Sequence, residues 1–359
     1  MLPLPLSEAP DLVRWRGSAA TGETIMSGIA RANRPACLLL AAVLGLPAAA
    51  QGFELGLPLA CEPLQSCWIP RYVDLDPGPG MHDYNCGSFT GPAHSGTDFA
   101  IRNLAAMARG VPVLAAAAGT VKAVRDGMDD VNVETIGKAA IADRECGNGV
   151  VLDHGEGWET QYCHLRKGSV VVVRGQRVMA GDKLGLVGLS GDTSFPHVHL
   201  SVRKDGQQVD PFRGLAGGPD CGAGASPLWA GDLGKRMPYL PVLLINMGFA
   251  PEPPDWTAVQ NGAFAERSLS LDAAALVLWF EAFGLREGDL VSWRITAPDG
   301  GTLFESEKAE TKSQARSFRF SGKKRPPAGW QPGTYKGEII VRRPGSDTVV
   351  QLSREVELR

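Results

Sequence analysis

Between residues 92 and 213 the chain is a succession of short β-prone segments broken by glycine turns, which leaves little room for anything but strands. Residues 111–114 lead to 119–124, then to 149–153 and 160–165, the last two joined through Gly155-Glu156-Gly157. Residues 170–174 and 183–189 follow, and 196–203 closes the run before the tight turn Asp205-Gly206. The 44 glycines and 26 prolines of the chain suit a turn-rich architecture better than a helical bundle. The expected fold class is all-β.

Residues 266–359 read as a second β unit. Leu276, Leu278 and Phe280 alternate with Val277 and Trp279, and Val291, Trp293 and Ile295 with Ser292 and Arg294. Pro298-Asp299-Gly300-Gly301 and Pro344-Gly345-Ser346-Asp347 supply hairpin turns. Phe318, Phe320, Tyr335, Ile339, Val341 and Val356 complete a small Ig-like β-sandwich. Residues 214–265 are rich in glycine and proline and are expected to be a linker, and residues 51–91 a loop-rich, disulfide-rich lead-in.

An export signal is expected over residues 26–50. Arg31 and Arg34 precede the apolar stretch 36–46, and Pro47-Ala48-Ala49-Ala50 offers a cleavage site. Residues 1–25 then read as an over-long start. The apolar stretch is shorter than the ~20 residues a transmembrane helix needs, so no membrane span is expected after signal removal. A formal net charge of −3 gives no global basic field for nucleic acid. Cys37 falls inside the signal, and the six other cysteines of an exported chain read as disulfides. Cys146–Cys163 and Cys61–Cys67 are the pairs favoured. No Cys-x-x-Cys occurs, which argues against a cysteine zinc site.

The chain has six histidines, and four of them fall in three short motifs: His94-Ser95-Gly96-Thr97-Asp98, Tyr162-Cys163-His164-Leu165 and Pro196-His197-Val198-His199. On a strand His197 and His199 point the same way, while Val198 packs into the sheet. His164 is placed at the end of a strand, on the face of Tyr162. His94 and Asp98 alone make no more than a turn. Two histidines and a carboxylate together suit a zinc site that keeps a position open for water, and two further histidines can then handle protons.

In order, composition and spacing these motifs resemble the lysostaphin-like (LytM-type) zinc endopeptidases that cut peptidoglycan peptides. The intervening phrases Gly147-Asn148-Gly149, residues 174–185 and Gly188-Leu189-Ser190-Gly191 match as well. The resemblance covers residues 92–213, about a third of the chain. It implies a LytM-type β-rich peptidase domain with one Zn2+ per chain, held by His94, Asp98 and His199. It further implies His164 and His197 as catalytic proton handlers, a zinc-activated water as nucleophile, and peptidoglycan peptides as substrate in the periplasm or outside the cell. Tyr162 is a candidate substrate contact. His154 reads as a turn residue and His82 as a solvated loop residue, with a latency role at the zinc also considered for His82. One departure stands out: the family often has glycine before Pro-His-x-His, where this chain has Phe195. Non-catalytic relatives that activate other wall hydrolases make a regulator the alternative, and the intact five-residue set argues against it. The C-terminal unit has no histidine and no catalytic cluster; an envelope protein is the partner considered for it.

Overall fold

In the computed structural model, which describes residues 52–218 and 220–359, an antiparallel sheet organises the first half. Its order is β1 (Cys67–Arg71), β2 (Thr97–Ile101), β9 (His197–Lys204), β6 (Trp158–Leu165), β5 (Asn148–Gly155), β4 (Gly119–Arg125) and β7 (Arg177–Val178). β10 (Gln207–Gln208) pairs with β9, and β3 (Pro112–Leu114) pairs with β8 (Lys183–Leu186). Alternation sorts the central strands. Val198, Leu200 and Val202 join Phe99 and Tyr162 in the core, and His197 and His199 take the opposite face. The fold is all-β, as the glycine-punctuated pattern requires. The expected signal at 26–50 and residues 1–25 lie outside the described residues. Among those described, no helix is long and apolar enough to cross a membrane.

Two features depart from the sequence reading. Residues 51–91 are more than a lead-in: β1 extends the sheet beside β2, and Leu55, Leu59, Trp68 and Tyr72 are buried in the same core as Phe99. Residues 125–148 received no element, yet they carry α2 (Val133–Ile136) and a 3-10 turn (Lys138–Ile141). Asn132 caps α2 by accepting from the Glu134 amide, and Gly137 ends it at φ 77°. The earlier helix, α1 (Leu104–Arg109), is capped the same way by Asn103.

Disulfides join Cys61–Cys67, Cys86–Cys221 and Cys146–Cys163. The second spans 135 residues and ties the 80s loop to the segment after the sheet. The third links Cys146, two positions before β5, to Cys163 of β6, one position before His164. Thiol titration of the protein, denatured without reductant, is expected to find no free thiol among these six. Replacing Cys146 and Cys163 together with serine is expected to cost about 2–4 kcal/mol in unfolding free energy. Activity should fall with it, because the bridge braces the backbone that aims His164. Undiminished activity in a destabilised variant would show that the bridge serves stability alone.

The C-terminal half packs two sheets face to face. Three strands run in the order β11 (Leu243–Ala250), β13 (Ala275–Leu285) and β16 (Gln314–Lys324). Facing them, in order, are β12 (Ser268–Leu269), β18 (Val349–Leu358), β17 (Gly333–Arg342), β14 (Leu290–Thr296) and β15 (Thr302–Ala309). Leu276, Leu278 and Phe280 meet Val291, Trp293, Ile295, Tyr335, Ile339, Val341 and Val356 in one core. Val277 and Trp279 turn the other way, into a small cluster with Val259.

The segment expected to be a linker, 214–265, contains β11 and α4 (Trp256–Gln260), with α3 (Leu233–Arg236) ahead of them. Every residue of β11 is buried. Leu243 and Ile245 enter the first core, and Leu244, Met247 and Phe249 enter the sandwich core. One strand therefore serves both hydrophobic cores. A chain cut near residue 262 would leave β11 without β13, its hydrogen-bonded partner.

Asp210 gives the fold a pH dependence of its own. It is buried; Oδ1 accepts from the Phe212 and Arg213 amides, and Oδ2 is buried without a partner. Burial pushes its carboxyl up to about 6, against those amide bonds. The folded chain thus binds the proton more tightly than the unfolded one. That stabilisation is complete below the unfolded value near 3.9 and is lost as pH rises through about 6. Asp210→Asn keeps the Oδ1 acceptor and removes the titration. From pH 4 to pH 8 the parent is expected to lose roughly 2 kcal/mol that the variant does not. Urea unfolding at the two pH values measures this, and parallel pH profiles would reject it.

Candidate metal centre

The centre is assembled on the face of β2 and β9 that lines the cleft. Asp98 and His199 are direct cross-strand partners, and His197 sits two residues back on the same face. His94 comes from the loop before β2, and the residues between it and Asp98 explain their own identity. A Cβ on Gly96 would lie 2.5 Å from His199 Nε2 and 2.6 Å from the Leu200 carbonyl oxygen, so only glycine lets this loop cross the ring. Ala93, just before it, adopts φ 55°.

Three donor atoms converge. His94 Nε2 and His199 Nδ1 lie 3.1 and 2.9 Å from Asp98 Oδ1, and 3.1 Å from each other. A tetrahedral ion with ligands at about 2.0–2.1 Å sets neighbouring donors about 3.3 Å apart, so the triangle needs only slight expansion. The far ring nitrogens are occupied. His94 Nδ1 donates to the Tyr72 carbonyl at 2.7 Å, and His199 Nε2 lies 3.1 Å from Ser201 Oγ. These partners leave the inward nitrogens as lone-pair donors, the arrangement typical of metal-ligating histidine. Burial opposes charge on Asp98, yet His94 and His197 beside it hold its carboxyl well below the usual range. Burial likewise works against a charged His94, but the Asp98 carboxylate and the Tyr72 carbonyl lift it above the ordinary value. His199 is lowered, by burial first. Neutral imidazoles and a carboxylate are a donor set that suits zinc.

His164 reaches the centre by an unexpected route. Cys163 pairs with His199 and Tyr162 with Leu200. Plain alternation would therefore turn His164 into the core with Tyr162. Instead the β5–β6 register shifts between Asn148 and Val150, and His164 adopts φ 63°. This bulge swings the imidazole to the cleft side, at a cost of about 1–2 kcal/mol for a left-handed non-glycine residue. His164 Nδ1 donates to the Ser190 carbonyl at 2.7 Å. Ser190 is fixed in turn: its hydroxyl donates to the Leu165 carbonyl and accepts from the Asn148 amide. Side chains on Gly147 or Gly191 would strike Ser190 and Glu145 backbone respectively. The two glycine phrases thus interlock to hold His164. Burial, with His197 and His199 nearby, pushes its imidazole well below the usual histidine range, so it stands neutral. His197 Nδ1 lies 2.9 Å from the Phe195 carbonyl and 3.1 Å from Thr193 Oγ1. The His164 and His197 rings are 4.7 Å apart between centroids.

The five histidine and aspartate positions singled out from sequence therefore meet at one place. Tyr162 does not join them: it is 0% exposed, and its hydroxyl accepts from the Ala116 amide at 2.8 Å. It is a core residue, and the substrate contact expected of it is withdrawn. His154 bridges the Ala118 carbonyl and Thr160 Oγ1. His82 sits 3.7 Å from Asp76 and does not line the cleft. Tyr72, Ser201 and Thr193 support the site without any signal in the sequence, since a carbonyl or hydroxyl acceptor can come from any segment; Ser190 lies in the matching phrase Gly188-Leu189-Ser190-Gly191, which does not reveal its role. The cleft above the centre encloses about 570 Å3 and is walled by α2, the 3-10 turn and residues 192–195. Its rim is of mixed charge, with Arg71, Glu134 and Glu145 beside the Lys138–Asp192 and Arg203–Glu159 ion pairs.

The family model described as Peptidase family M23 matches residues 92–211. The peptidoglycan DD-endopeptidase ShyA of Vibrio cholerae is 32% identical over 120 residues, which is 33% of this chain and 22% of that protein. The murein hydrolase activator EnvC of Escherichia coli is 35% identical over 102 residues, 28% of this chain and 22% of that one. The chain thus spans about a fifth of the length of these curated relatives. Among solved structures, the catalytic domain of the prophage-encoded M23 protein EnpA from Enterococcus faecalis aligns at 23% identity. It covers 45% of this chain and 96% of that domain, with a TM-score of 0.30.

Proposed function

We propose, from the premise that residues 92–211 form a peptidase family M23 domain, that this chain is an exported zinc endopeptidase that hydrolyses peptide bonds of peptidoglycan. The observation that carries the reading is the convergence of His94, Asp98 and His199 within 3.1 Å of one another, with His164 and His197 alongside. A zinc ion held by those three residues would supply Lewis acidity and a water whose pKa falls to about 7. The chain's own residues do the rest. The mixed-charge cleft holds the peptide with its scissile carbonyl over the centre. His164, kept neutral by burial and with Nδ1 tied to Ser190, presents Nε2 as the acceptor for the proton of the attacking water. As the carbon–oxygen bond forms, His197 Nε2 faces the carbonyl oxygen. When the carbon–nitrogen bond breaks, the histidine pair returns the proton to the leaving amine. The sequence contains no His-Glu-x-x-His, which is consistent with histidine as the base. The three disulfides suit an oxidising compartment, the periplasm or the exterior.

Digestion of purified sacculi with and without chelator, read by mass analysis of the fragments, tests this reading. New amine termini within stem peptides or cross-links are expected, and chelator should abolish them. A protein that holds zinc, releases no fragments, and yet accelerates another wall hydrolase would turn the reading to that of an activator, the activity named for EnvC.

A further inference from the structure

Phe195, the residue that departs from the family pattern, stands between His197 and the C-terminal sandwich. Its ring stacks on the His197 imidazole, with centroids 4.5 Å apart at 25°, and its carbonyl lies 2.9 Å from His197 Nδ1. The same ring meets Phe283 of β13 at 5.3 Å and the Arg316 guanidinium of β16 at 5.5 Å. Arg316 is itself firmly held. Nε donates to Glu281 Oε1 and Nη2 to Gln260 Oε1, each at 2.6 Å, and the guanidinium lies 4.9 Å from the Trp256 ring centroid. Glu281 is fully buried, and its other oxygen accepts from Gln260 at 3.1 Å. Burying an ion pair is a poor way to gain stability, because desolvation offsets most of the attraction. A fully hydrogen-bonded pair with a planar, forked guanidinium is, however, a rigid way to fix a neighbour.

The surroundings leave this boundary no slack. A Cβ on Gly284 would fall 2.2 Å from the Phe89 ring, and one on Gly262 would fall 2.6 Å from Ala105. Arg286 donates to Ser88 Oγ at 2.9 Å.

We propose that the sandwich backs the wall of the catalytic cleft at Phe195, which lines it, and that Arg316, clamped by Glu281 and Gln260, is a positioning residue that sets His197 through Phe195. The inference rests on the reading of His197 as a proton handler. Without the clamp, Phe195 loses one of the two side chains that seat its ring, and His197's stacking partner and Nδ1 acceptor are no longer fixed. Misplacement of a proton-transfer group weakens the transition state more than substrate binding, so the loss belongs in kcat.

The test uses the full exported chain with its disulfides. The Arg316→Gln/Glu281→Gln variant removes both charges and so leaves no stranded carboxylate. Its zinc content, its kcat and KM on cross-linked muropeptides from a Gram-negative sacculus, and the NMR signal of the His197 Nδ1 proton are compared with the parent. Full zinc, unchanged KM, a shifted or broadened His197 signal and a kcat lower by about tenfold or more are expected. In a Phe195→Gly background the same pair of changes should add less than about twofold, because the link to His197 is already gone. Arg316→Lys alone retains a charge for Glu281 without the fork, and should show a smaller loss of kcat in the same direction. Parental kcat in the zinc-loaded double variant or in Arg316→Lys, or fully additive losses with Phe195→Gly, would overturn the proposal. His197→Ala, run alongside, separates the two levels. Parental kcat there removes the proton-handling role and the positioning inference with it. A loss there, with the Arg316 variants unaffected, overturns the positioning inference alone.

Discussion

His94→Ala is expected to lose most of its bound zinc and all measurable hydrolysis, while remaining folded. The reasoning is geometric. Two of the three donor-to-donor contacts in the triangle involve His94 Nε2, and the Tyr72 carbonyl already fixes the tautomer that frees this atom. Removal leaves a carboxylate and one imidazole, too few to hold a three-ligand catalytic site. The side chain sits on a loop at the cleft rather than in the core, so its loss should cost the fold little. Elemental analysis of the purified variant gives the zinc content, and circular dichroism the fold. Full zinc occupancy would sink the ligand assignment. His199→Ala should behave in the same way, since it removes the cross-strand partner of Asp98.

The second large effect concerns the two histidines outside the triangle. His164→Ala and His197→Ala should each keep zinc and lose activity by roughly two orders of magnitude or more, the usual scale for acid–base assistance. His164 carries an added expectation. Its left-handed backbone is strained for any residue with a Cβ, and its imidazole hydrogen bond to Ser190 helps hold it there. Alanine removes that bond and leaves the bulge held by its backbone bonds: the His164 amide donates to the Cys146 carbonyl at 2.8 Å, and the His164 carbonyl accepts from the Gly188 amide at 3.0 Å. His164→Gly relieves the strain and removes the imidazole. If the alanine and glycine variants are equally inactive and equally loaded, the loss is chemical. If glycine recovers activity, strain rather than proton transfer was being measured. Loss of zinc in either His164 or His197 variants, with His199→Ala unaffected, would reverse the division of labour.

Much of this centre was legible in the chain because its chemistry is local in sequence. His197-x-His199 relies only on the two-residue repeat of a strand, and that repeat survives in β9. Gly96 between His94 and Asp98 records a backbone crossing that tolerates no side chain. The alternating apolar residues of β13 and β14 likewise announce a two-faced packing that the sandwich provides.

What the chain could not announce depends on long-range register. His164 was placed on the face of Tyr162 by alternation, and only the bulge opposite Asn148–Val150 turns it to the cleft, leaving Tyr162 in the core. β11 was hidden in a segment whose composition is dominated by the proline and glycine around it, and a strand buried on both faces has no alternation to read. The acceptors that orient the histidines, Tyr72, Ser190 and Phe195, are backbone carbonyls, which every residue possesses and no residue type reveals. An all-β chain, and a set of side chains able to hold a metal ion and exchange protons, could thus be read from residue order alone. Tertiary structure alone decided which faces those side chains occupy and which carbonyls aim them. It also brought a second hydrophobic core against the wall of the cleft, because pairing register and inter-core packing are set by contacts between residues far apart in the chain.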